Sequence, residues 1–457
     1  MKGRYRPCRH RSCGGVASAA FQVEGALDED GRAPSVWDVF ARRPGTVRDG
    51  HSPAVACDHY HRWEQDVDLL DRLGVNAYRF SIAWPRVVPT GRGAVNGAGL
   101  DFYDRLVDAL LERGVAPVPT LFHWDLPQAL EEEGGWSARG TAPAFAEYAA
   151  AAADRLGDRV DRWITLNEPL VHMVYGHVFG VHAPGRTLDV PGALEVAHHL
   201  LLAHGLAAGE LRSRGLEVLL TNNYSPAEPA TGADAGAARA YDALHNRLFT
   251  DPVLTGAYPD LSAFTAGEVP GVREGDLDLI AGSADGIGVN YYNPTPVTAP
   301  DEGSGLPFGF GEVPGAPVTA FGWPVVPEGL GRMIDLLRAR YGDALPPLYV
   351  TENGCSYEDS VSVGGRVADP DRIAYLEGHV AAVEAARERG ADVRGYFVWT
   401  LTDNFEWAEG YHQRFGLVHV DHGTQRRTPK DSFAWYRELI ASRTGGQSPT
   451  ASKGPLS

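Results

Sequence analysis

The sequence predicts an α/β protein, a (β/α)8 or TIM barrel in a single domain, from three features: the alternation of its elements, its length and its glycines. Eight short β-rich runs alternate with eight longer amphipathic runs, as expected of βα units around a parallel sheet. A chain of 457 residues fits one such barrel with insertions. Several helical runs end at glycine, a common helix C-cap. Two Rossmann-like domains are disfavoured because no G-x-G-x-x-G follows the first strand.

The predicted elements follow one another along the whole chain. Strands are predicted at about 14–20, 75–82, 115–122, 160–166, 217–223, 286–292, 347–352 and 394–400. Helices are predicted at about 60–73, 99–113, 142–156, 192–214, 236–249, 326–341, 370–389 and 431–442. The first strand is weak because the segment from Arg9 to Gly15 is basic and contains glycine. We expect an atypical N-terminal segment at 1–13, the barrel at 14–442 and a disordered tail at 443–457.

Composition disfavours several classes of partner. The net charge of −18 argues against nucleic acid, anionic membranes and polyanionic substrates. No apolar run approaches the roughly 20 residues of a membrane span, and the basic N-terminus lacks the apolar region of an export signal. Four cysteines, Cys8, Cys13, Cys57 and Cys355, are too scattered for a disulfide framework or a zinc site. We expect a cytoplasmic protein without metal or cofactor; its oligomeric state stays open.

Polar and aromatic residues gather at the predicted C-terminal ends of the strands, where a barrel of this type assembles its active site. Two glutamates stand out, Glu352 in Tyr349–Gly354 and Glu168 in Thr165–Pro169. Burying an unpaired charge costs several kcal/mol, so such a carboxylate is usually paired, shifted in pKa or catalytic. Taken alone, each could be a strand-end residue that faces water. The other strand-end residues are Gln22, Glu24, Arg79, His123, Trp124, Asp125, Asn167, Asn290, Tyr291, Tyr292, Asn353, Trp399, Glu406 and Trp407.

Two glutamates among amides and tryptophans are the groups that glycoside hydrolysis requires. One carboxyl must be protonated, to donate to the departing oxygen, and the other ionised, to attack or to activate water. Arg79 is the candidate cation that would keep one of them ionised. Singly, His123 could be a satisfied strand-end histidine and Trp399 a core residue. Their joint placement at one end of the barrel favours a site.

Seven motifs, in order, resemble those of the family 1 glycoside hydrolases, the β-glucosidase family, over residues 14–442. The resemblance implies a (β/α)8 barrel and a retaining double displacement. A single such motif would mean little, whereas seven in the right order are specific. The motifs are Phe21–Ala26, Tyr78–Ser81 with Trp84–Arg86, Phe122–Pro127, Thr165–Pro169, Val289–Tyr292, Thr351–Gly354, and Trp399–Thr400 leading to Asp403–Trp407.

The same resemblance implies a role for each matching residue. Glu352 matches the family's nucleophile, and Glu168 matches its acid/base. Tyr292 and Arg79 match the groups that contact and orient the nucleophile, and Trp399 matches the platform under the sugar ring. The residues that match binders of the terminal sugar's hydroxyls are Gln22, His123, Asn167, Glu406 and Trp407.

The loop after the eighth strand narrows the substrate class. Phospho-β-glucosidases of the family need cationic and hydroxyl groups there, whereas Glu406 would repel a phosphate. Myrosinase-like members resemble this sequence too, but they lack the carboxyl acid at the position of Glu168. We expect small β-glucosides or cello-oligosaccharides as substrates, with β-galactosides and β-fucosides as further candidates. Loops near 175–185, 223–235 and 296–324 are expected to set the aglycone preference.

Two other classes of function are alternatives. A catalytically silent sugar-binding barrel would be expected to lack one of the two glutamates, and this chain has both. A metal-dependent or NAD-dependent enzyme needs a ligand cluster or a phosphate-cradling glycine loop. His198, His199 and His204 share one predicted helix, and we interpret them as surface or packing residues.

Overall fold

A computed structural model of the chain describes residues 13–444. Eight parallel strands form a closed barrel in which each strand pairs with its neighbours in sequence and the last closes on the first. This arrangement confirms the predicted fold class. The barrel strands are β1 (Cys13–Ala17), β2 (Ala77–Ser81), β3 (Ala116–Phe122), β4 (Arg162–Asn167), β5 (Glu217–Asn223), β6 (Gly286–Asn290), β7 (Leu348–Asn353) and β8 (Val393–Trp399).

A helix follows each strand of the barrel, and seven of the eight lie within a few residues of their predicted bounds. The fifth ends at Asp242, seven residues before the predicted end at 249, and a separate short segment, Ala243–Arg247, follows it. These helices are α1 (His59–Leu73), α2 (Gly97–Glu112), α3 (Thr141–Leu156), α4 (Val190–Ser213), α5 (Ala235–Asp242), α6 (Pro327–Tyr341), α7 (Pro370–Glu388) and α8 (Asp431–Thr444). Helix α8 extends two residues past the predicted boundary at 442. The rest of the predicted tail, 445–457, and residues 1–12 of the predicted N-terminal segment lie outside the described residues.

Short elements occupy the connections between strands and helices. One small sheet joins Ala227–Pro229, Thr295–Thr298 and Gly309–Phe310, and another pairs Val418–Asp421 with Arg426–Pro429. The short helical segments are Ala20–Val23, Val36–Ala41, Arg48–Gly50, Trp84–Val87, Gln128–Glu132, Gly135–Ser137, Pro169–Met173, Val174–Val178, Gly232–Asp234, Ala243–Arg247, Asp251–Thr255, Asp276–Ile280, Gly342–Ala344 and Trp407–Glu409.

The weak first strand is present and short, and close packing explains its glycine. A Cβ atom on Gly15 would lie 2.5 Å from the Phe397 ring and 2.7 Å from the carbonyl oxygen of Ala77. A larger residue would therefore push β1 away from β8 and β2, with which it pairs. Glycine lowers the intrinsic strand propensity of this segment but permits the close approach that closes the barrel.

The three histidines of α4 are buried and bind that helix to its surroundings. His198 contacts Asp276 (Nε2 to Oδ2, 2.8 Å), and His199 Nδ1 lies 2.9 Å from the carbonyl oxygen of Trp136. His204 Nδ1 lies 2.6 Å from Thr165 Oγ1. Within 13–444, no group of three histidine, cysteine or acidic residues is placed to hold a metal ion. No helix in that range is long and apolar enough to cross a membrane.

Candidate active site

A cavity of about 1150 Å³ opens where the barrel strands end. Parallel strands deliver their C-terminal residues to the same rim, so side chains distant in sequence meet there. The cavity is therefore built by the barrel itself as well as by its loops. Six strands each contribute a residue within two positions of their last residue: His123, Glu168, Asn223, Tyr292, Glu352 and Trp399.

Glu352 is a buried carboxylate held by two donors. Arg79 Nη1 lies 2.5 Å from its Oε1, and the Tyr292 hydroxyl donates to its Oε2 at 2.7 Å. Burial, followed by the charge of Glu352, raises the pKa of Tyr292 well above its usual value, so this phenol remains a neutral donor. A cation and a hydroxyl on separate oxygens favour the ionised carboxylate and fix its plane.

Arg79 lies behind the cavity, on β2, and each of its three nitrogens donates to a named acceptor. Besides Glu352, it donates from Nη1 to the carbonyl oxygen of Thr351 at 3.0 Å. Its Nη2 donates to Asn167 Oδ1 at 2.6 Å, and its Nε donates to Thr120 Oγ1 at 3.2 Å. The buried guanidinium is thus bound by one carboxylate and three neutral oxygens, which fix its position.

Glu168 lies in different surroundings, which favour its protonated form. Burial is the largest cause and the charge of Glu352 the second, and together they raise its pKa to about 8. Two amides, Asn290 Nδ2 at 2.9 Å and Asn223 Nδ2 at 3.1 Å, donate to its Oε1 and oppose this rise. At neutral pH, Glu168 is therefore an acid beside an ionised carboxylate.

Asn290 fixes the relative positions of the two glutamates. The Thr351 hydroxyl donates to Asn290 Oδ1 at 2.7 Å, which orients its amide so that Nδ2 faces Asn167 Oδ1 (3.1 Å) and Glu168. A continuous chain of hydrogen bonds then runs from Glu352 through Arg79, Asn167 and Asn290 to Glu168. Buried networks in which each member is satisfied hold functional groups in one arrangement.

The protonation state of His123 follows from the same network. Because Arg79 donates to Asn167 Oδ1, the Nδ2 of that amide must face His123 Nε2, 3.1 Å away, and donate to it. Burial, with a contribution from Arg79, lowers the pKa of His123 well below its usual value, so the ring is neutral. Its proton is therefore on Nδ1, a buried atom without a partner among residues 13–444. An unpaired buried donor at a cavity wall indicates a ligand acceptor.

Gln22 and Glu406 form a second polar group at the cavity. Gln22 Nε2 donates to Glu406 Oε2 at 3.1 Å and to the carbonyl oxygen of Phe405 at 3.0 Å. This geometry leaves Gln22 Oε1 as a buried acceptor that receives no hydrogen bond from any described residue. Burial, and then the charge of Glu352, raises the pKa of Glu406 to about 8. Donors from a polyhydroxylic ligand would satisfy both groups.

Tryptophan rings form one wall of the cavity. The ring of Trp407 lies 4.8 Å from that of Trp124, and the ring of Trp399 stacks with that of His123 at 5.8 Å. Trp124, Trp407 and Glu168 have left-handed backbone conformations, with φ of 74°, 48° and 45°. Such non-glycine conformations cost on the order of 1–3 kcal/mol and concentrate at functional sites.

All ten predicted site residues meet in this region. Gln22, Arg79 and Asn167 lie behind the cavity surface and contact the residues that line it. The seven that line it are His123, Glu168, Tyr292, Glu352, Trp399, Glu406 and Trp407. The predicted aglycone loops contribute lining residues as well, from Tyr175, Asn223 and Trp323 among others.

Some of the strand-end residues noted in the sequence do not line the cavity but bond to neighbouring strands and helices. Glu24 pairs with Arg86 at 3.0 Å and accepts from the Tyr103 hydroxyl at 2.7 Å. Asn353 donates to the carbonyl oxygen of Tyr291 at 2.7 Å. These contacts hold the strands and helices together and do not face the cavity. Position at a strand end therefore does not ensure a place in this site.

Asn223 is a site residue that the sequence interpretation did not single out. It ends β5, donates to Glu168, and its Oδ1 lies 3.0 Å from His245 Nε2. The strand-end criterion used for the other strands would have found it. Trp323 was harder to find, because its place 5.1 Å from the Tyr292 ring depends on the path of a long loop.

A parallel (β/α)8 barrel with paired, differently held glutamates and tryptophans at its strand ends defines a glycoside hydrolase. The model of Glycosyl hydrolase family 1 matches residues 11–445, and the chain belongs to this family. It is 49% identical to a thermostable β-glucosidase B of Thermobispora bispora over 431 residues, 93% of this chain and 89% of that protein.

Two further relatives support the same family. The chain is 47% identical to a bifunctional β-D-glucosidase/β-D-fucosidase of Bifidobacterium breve, over 93% of this chain and 96% of that protein. The structure of this chain resembles that of the psychrophilic β-glucosidase BglU from Micrococcus antarcticus, with a TM-score of 0.91 and 46% identity. That match covers 96% of this chain and 98% of the other.

Proposed function

We propose that the chain is a retaining β-glucosidase that releases terminal non-reducing β-D-glucosyl residues from small β-glucosides or cello-oligosaccharides. The observation that carries this proposal is the contrast between two neighbouring glutamates. Glu352 is held by Arg79 and Tyr292 as an anion, whereas Glu168 has a pKa raised to about 8. One nucleophile and one acid are the two groups that a retaining mechanism uses.

In the first step, Glu352 Oε attacks the anomeric carbon while Glu168 donates its proton to the departing glycosidic oxygen. The bond to the aglycone breaks as the ester bond to Glu352 forms, so the carboxylate charge disappears. That charge is the second cause of the raised pKa of Glu168. Its loss lowers the pKa of Glu168, which is then ready to accept a proton from the water that hydrolyses the ester.

The groups around the glutamates suit a glucosyl ring. His123 Nδ1–H can donate to one hydroxyl, and Gln22 Oε1 and Glu406 can accept from others. Hydroxyl donors stabilise the ionised form of Glu406, so bound sugar would lower its raised pKa. Trp399 supplies an apolar face for the ring's C–H groups.

The residues that line the cavity, one relative and the cysteines bear on which substrates the enzyme accepts and where in the cell it acts. No lysine or arginine lines the cavity among the described residues, so a phosphorylated sugar would find no countercharge. The bifunctional relative supports β-fucosides as a second substrate, and β-galactosides remain a candidate. Cys57 and Cys355 are free buried thiols, which fits a reducing, cytoplasmic location.

A panel of 4-nitrophenyl glycosides tests the proposed function. The β-glucoside should be hydrolysed, with the β-fucoside and β-galactoside within about 100-fold, because single hydroxyl contacts are worth only about 1–3 kcal/mol. The β-mannoside and the 6-phospho-β-glucoside should be slower than all three. A preference for the phosphoglucoside, or no hydrolysis of the glucoside, would contradict the proposal.

The pH profile of kcat/KM should fall on its alkaline side. Glu168 must be protonated to act as the acid, and its pKa is raised to about 8. Activity is therefore retained below that pH and lost as the pH rises through it, by about tenfold per unit once the acid is ionised. Initial rates with an alkyl β-glucoside, whose leaving group needs the proton, measure this limb most clearly.

Glu406 provides the control for this pH profile, because its pKa is also raised to about 8. In Glu406→Gln the activity should be weaker at every pH, but the alkaline limb should persist. Loss of the limb in that variant would assign it to Glu406, and the role proposed for the Glu168 proton would be wrong.

A further inference from the structure

We propose that His245 is a positioning residue for the acid/base: it holds the Asn223 amide in the orientation that keeps the acid proton of Glu168 on one oxygen, Oε2. This inference rests on the proposed β-glucosidase function and deepens it. His245 lies in the short segment Ala243–Arg247, beyond α5, and lines the cavity. Its connection to Glu168 runs through Asn223, the last residue of β5.

Two amides donate to the same oxygen of Glu168. Asn290 Nδ2 lies 2.9 Å from Oε1, and Asn223 Nδ2 lies 3.1 Å from it. An oxygen that accepts two N–H donors is the carbonyl oxygen of a carboxylic acid, because the hydroxyl oxygen is the poorer acceptor and would have to direct its own hydrogen between the donors. The proton that Glu168 gives to the glycosidic oxygen is therefore on Oε2.

The orientation of each amide decides whether it donates to Glu168 or accepts from it. The Asn290 amide is oriented by the Thr351 hydroxyl, which donates to its Oδ1 at 2.7 Å. For Asn223 the corresponding contact comes from His245, whose Nε2 lies 3.0 Å from Asn223 Oδ1. If the Asn223 amide were turned by half a rotation, its oxygen would face Glu168 Oε1 and draw the acid proton to that oxygen.

His245 can hold this amide only if its Nε2 carries a hydrogen. Burial lowers the pKa of His245 to about 4, so the ring is neutral and has one N–H at neutral pH. Because Asn223 Nδ2 is directed at Glu168, the contact at Asn223 Oδ1 requires Nε2–H as its donor. His123 has the opposite tautomer, since its Nε2 accepts from Asn167.

Stacking fixes the ring of His245 in the cavity wall. It lies nearly parallel to the ring of Tyr241, with 4.9 Å between centroids and 16° between planes. The Tyr241 hydroxyl bonds to Thr295 Oγ1 at 2.9 Å, and its ring packs edge-on against Phe308 at 5.3 Å. A side chain supported in this way keeps its donor directed at one acceptor.

Three substitutions separate the hydrogen bond from the rest of the His245 side chain. His245→Phe keeps a ring to pack on Tyr241 but removes the donor. His245→Gln places an amide nitrogen near the position of Nε2, whereas the shorter side chain of His245→Asn reaches only the position of Nδ1. The readout is kcat/KM for an alkyl β-glucoside and for 2,4-dinitrophenyl β-glucoside, because only the first substrate needs the proton of Glu168.

The two substrates should respond differently. In His245→Phe and His245→Asn, kcat/KM for the alkyl β-glucoside should fall by about 2- to 10-fold, the factor that one hydrogen bond supplies. For 2,4-dinitrophenyl β-glucoside it should stay within about twofold of wild type. His245→Gln should recover the wild-type ratio between the substrates. Equal losses on both substrates, or a glutamine variant that behaves like the phenylalanine variant, would overturn the proposal.

The pH dependence of the alkyl β-glucoside reaction is the second readout. The bond from Asn223 opposes the rise in the pKa of Glu168, and the nearby charges of Glu352 and Arg79 are unchanged by the substitution. In His245→Phe, Glu168 should keep its proton to a higher pH, so the alkaline limb should move up by about half a unit to one unit. His245→Gln should return the limb to its wild-type position.

The outcomes separate this inference from the proposed function. An unmoved alkaline limb in His245→Phe would overturn the role of His245 and leave the β-glucosidase activity intact. Failure of the unsubstituted chain to hydrolyse any β-glucoside would overturn the proposed function, and the role of His245 with it.

Discussion

Replacing Glu352 by glycine should lower kcat for an aryl β-glucoside by at least about 10⁴-fold, on the scale seen when a covalent nucleophile is removed. The loss has one cause: no atom remains to form the glycosyl ester. The substitution also leaves Arg79 Nη1 and the Tyr292 hydroxyl directed at the vacated space. A small anion should bind there, so azide should restore release of the phenol and yield the α-glucosyl azide.

Glu352→Gln is the matched control for this experiment. Its amide fills the space of the carboxylate, so activity should be lost without rescue by azide. Binding of a glucoside by calorimetry would show that both variants retain a folded site. Hydrolysis by Glu352→Gly at the wild-type rate would show that Glu352 is not the nucleophile.

Replacing Glu168 by alanine should have an effect that depends on the leaving group. Alkyl β-glucosides need the proton, so their kcat/KM should fall by about 10²–10⁴-fold. For 2,4-dinitrophenyl β-glucoside, whose leaving group departs unaided, kcat/KM should change little, while kcat falls because no base activates water. Azide should then attack the glycosyl-enzyme and give the β-glucosyl azide, the opposite anomer from that expected of the Glu352 variant.

The alkaline limb of the pH profile provides a second readout of Glu168→Ala. It should disappear from the residual hydrolysis of the alkyl β-glucosides, because the group with the raised pKa is gone. Glu168→Gln is the control for size, and it should show the same dependence on the leaving group. Equal losses for good and poor leaving groups would mean that Glu168 positions the substrate and does not transfer a proton.

Much of the barrel could be predicted from sequence because the signals are local. Alternating β-rich and amphipathic runs, ended by glycines, placed all eight strands and seven of the eight helices within a few residues; the fifth helix is seven residues shorter at its end than predicted. The glutamates were also predictable, because two carboxyls end different apolar strands and are accompanied there by amides, tryptophans and the cation Arg79. Local patterns do not describe contacts between distant segments, and the remaining features depend on such contacts.

β1 and the hydrogen-bonding network show this limit. Gly15 lowers the local strand propensity, and only the nearness of Phe397 and Ala77 explains why glycine is suited there. The orientation of the Asn167 amide, and with it the tautomer of His123, depends on Arg79 from another strand. The left-handed backbone at Glu168 is likewise invisible in the sequence, since glutamate has no preference for that conformation.

The stereochemistry of the first product tests the central claim most directly, since it depends on two displacements at one carbon. Proton NMR during the first minutes of hydrolysis of an aryl β-glucoside, before the anomers equilibrate, distinguishes the anomers of the released glucose. Attack by Glu352 followed by water delivered by Glu168 predicts that β-glucose appears first. Initial formation of α-glucose would show a single displacement by water and contradict the roles of both glutamates.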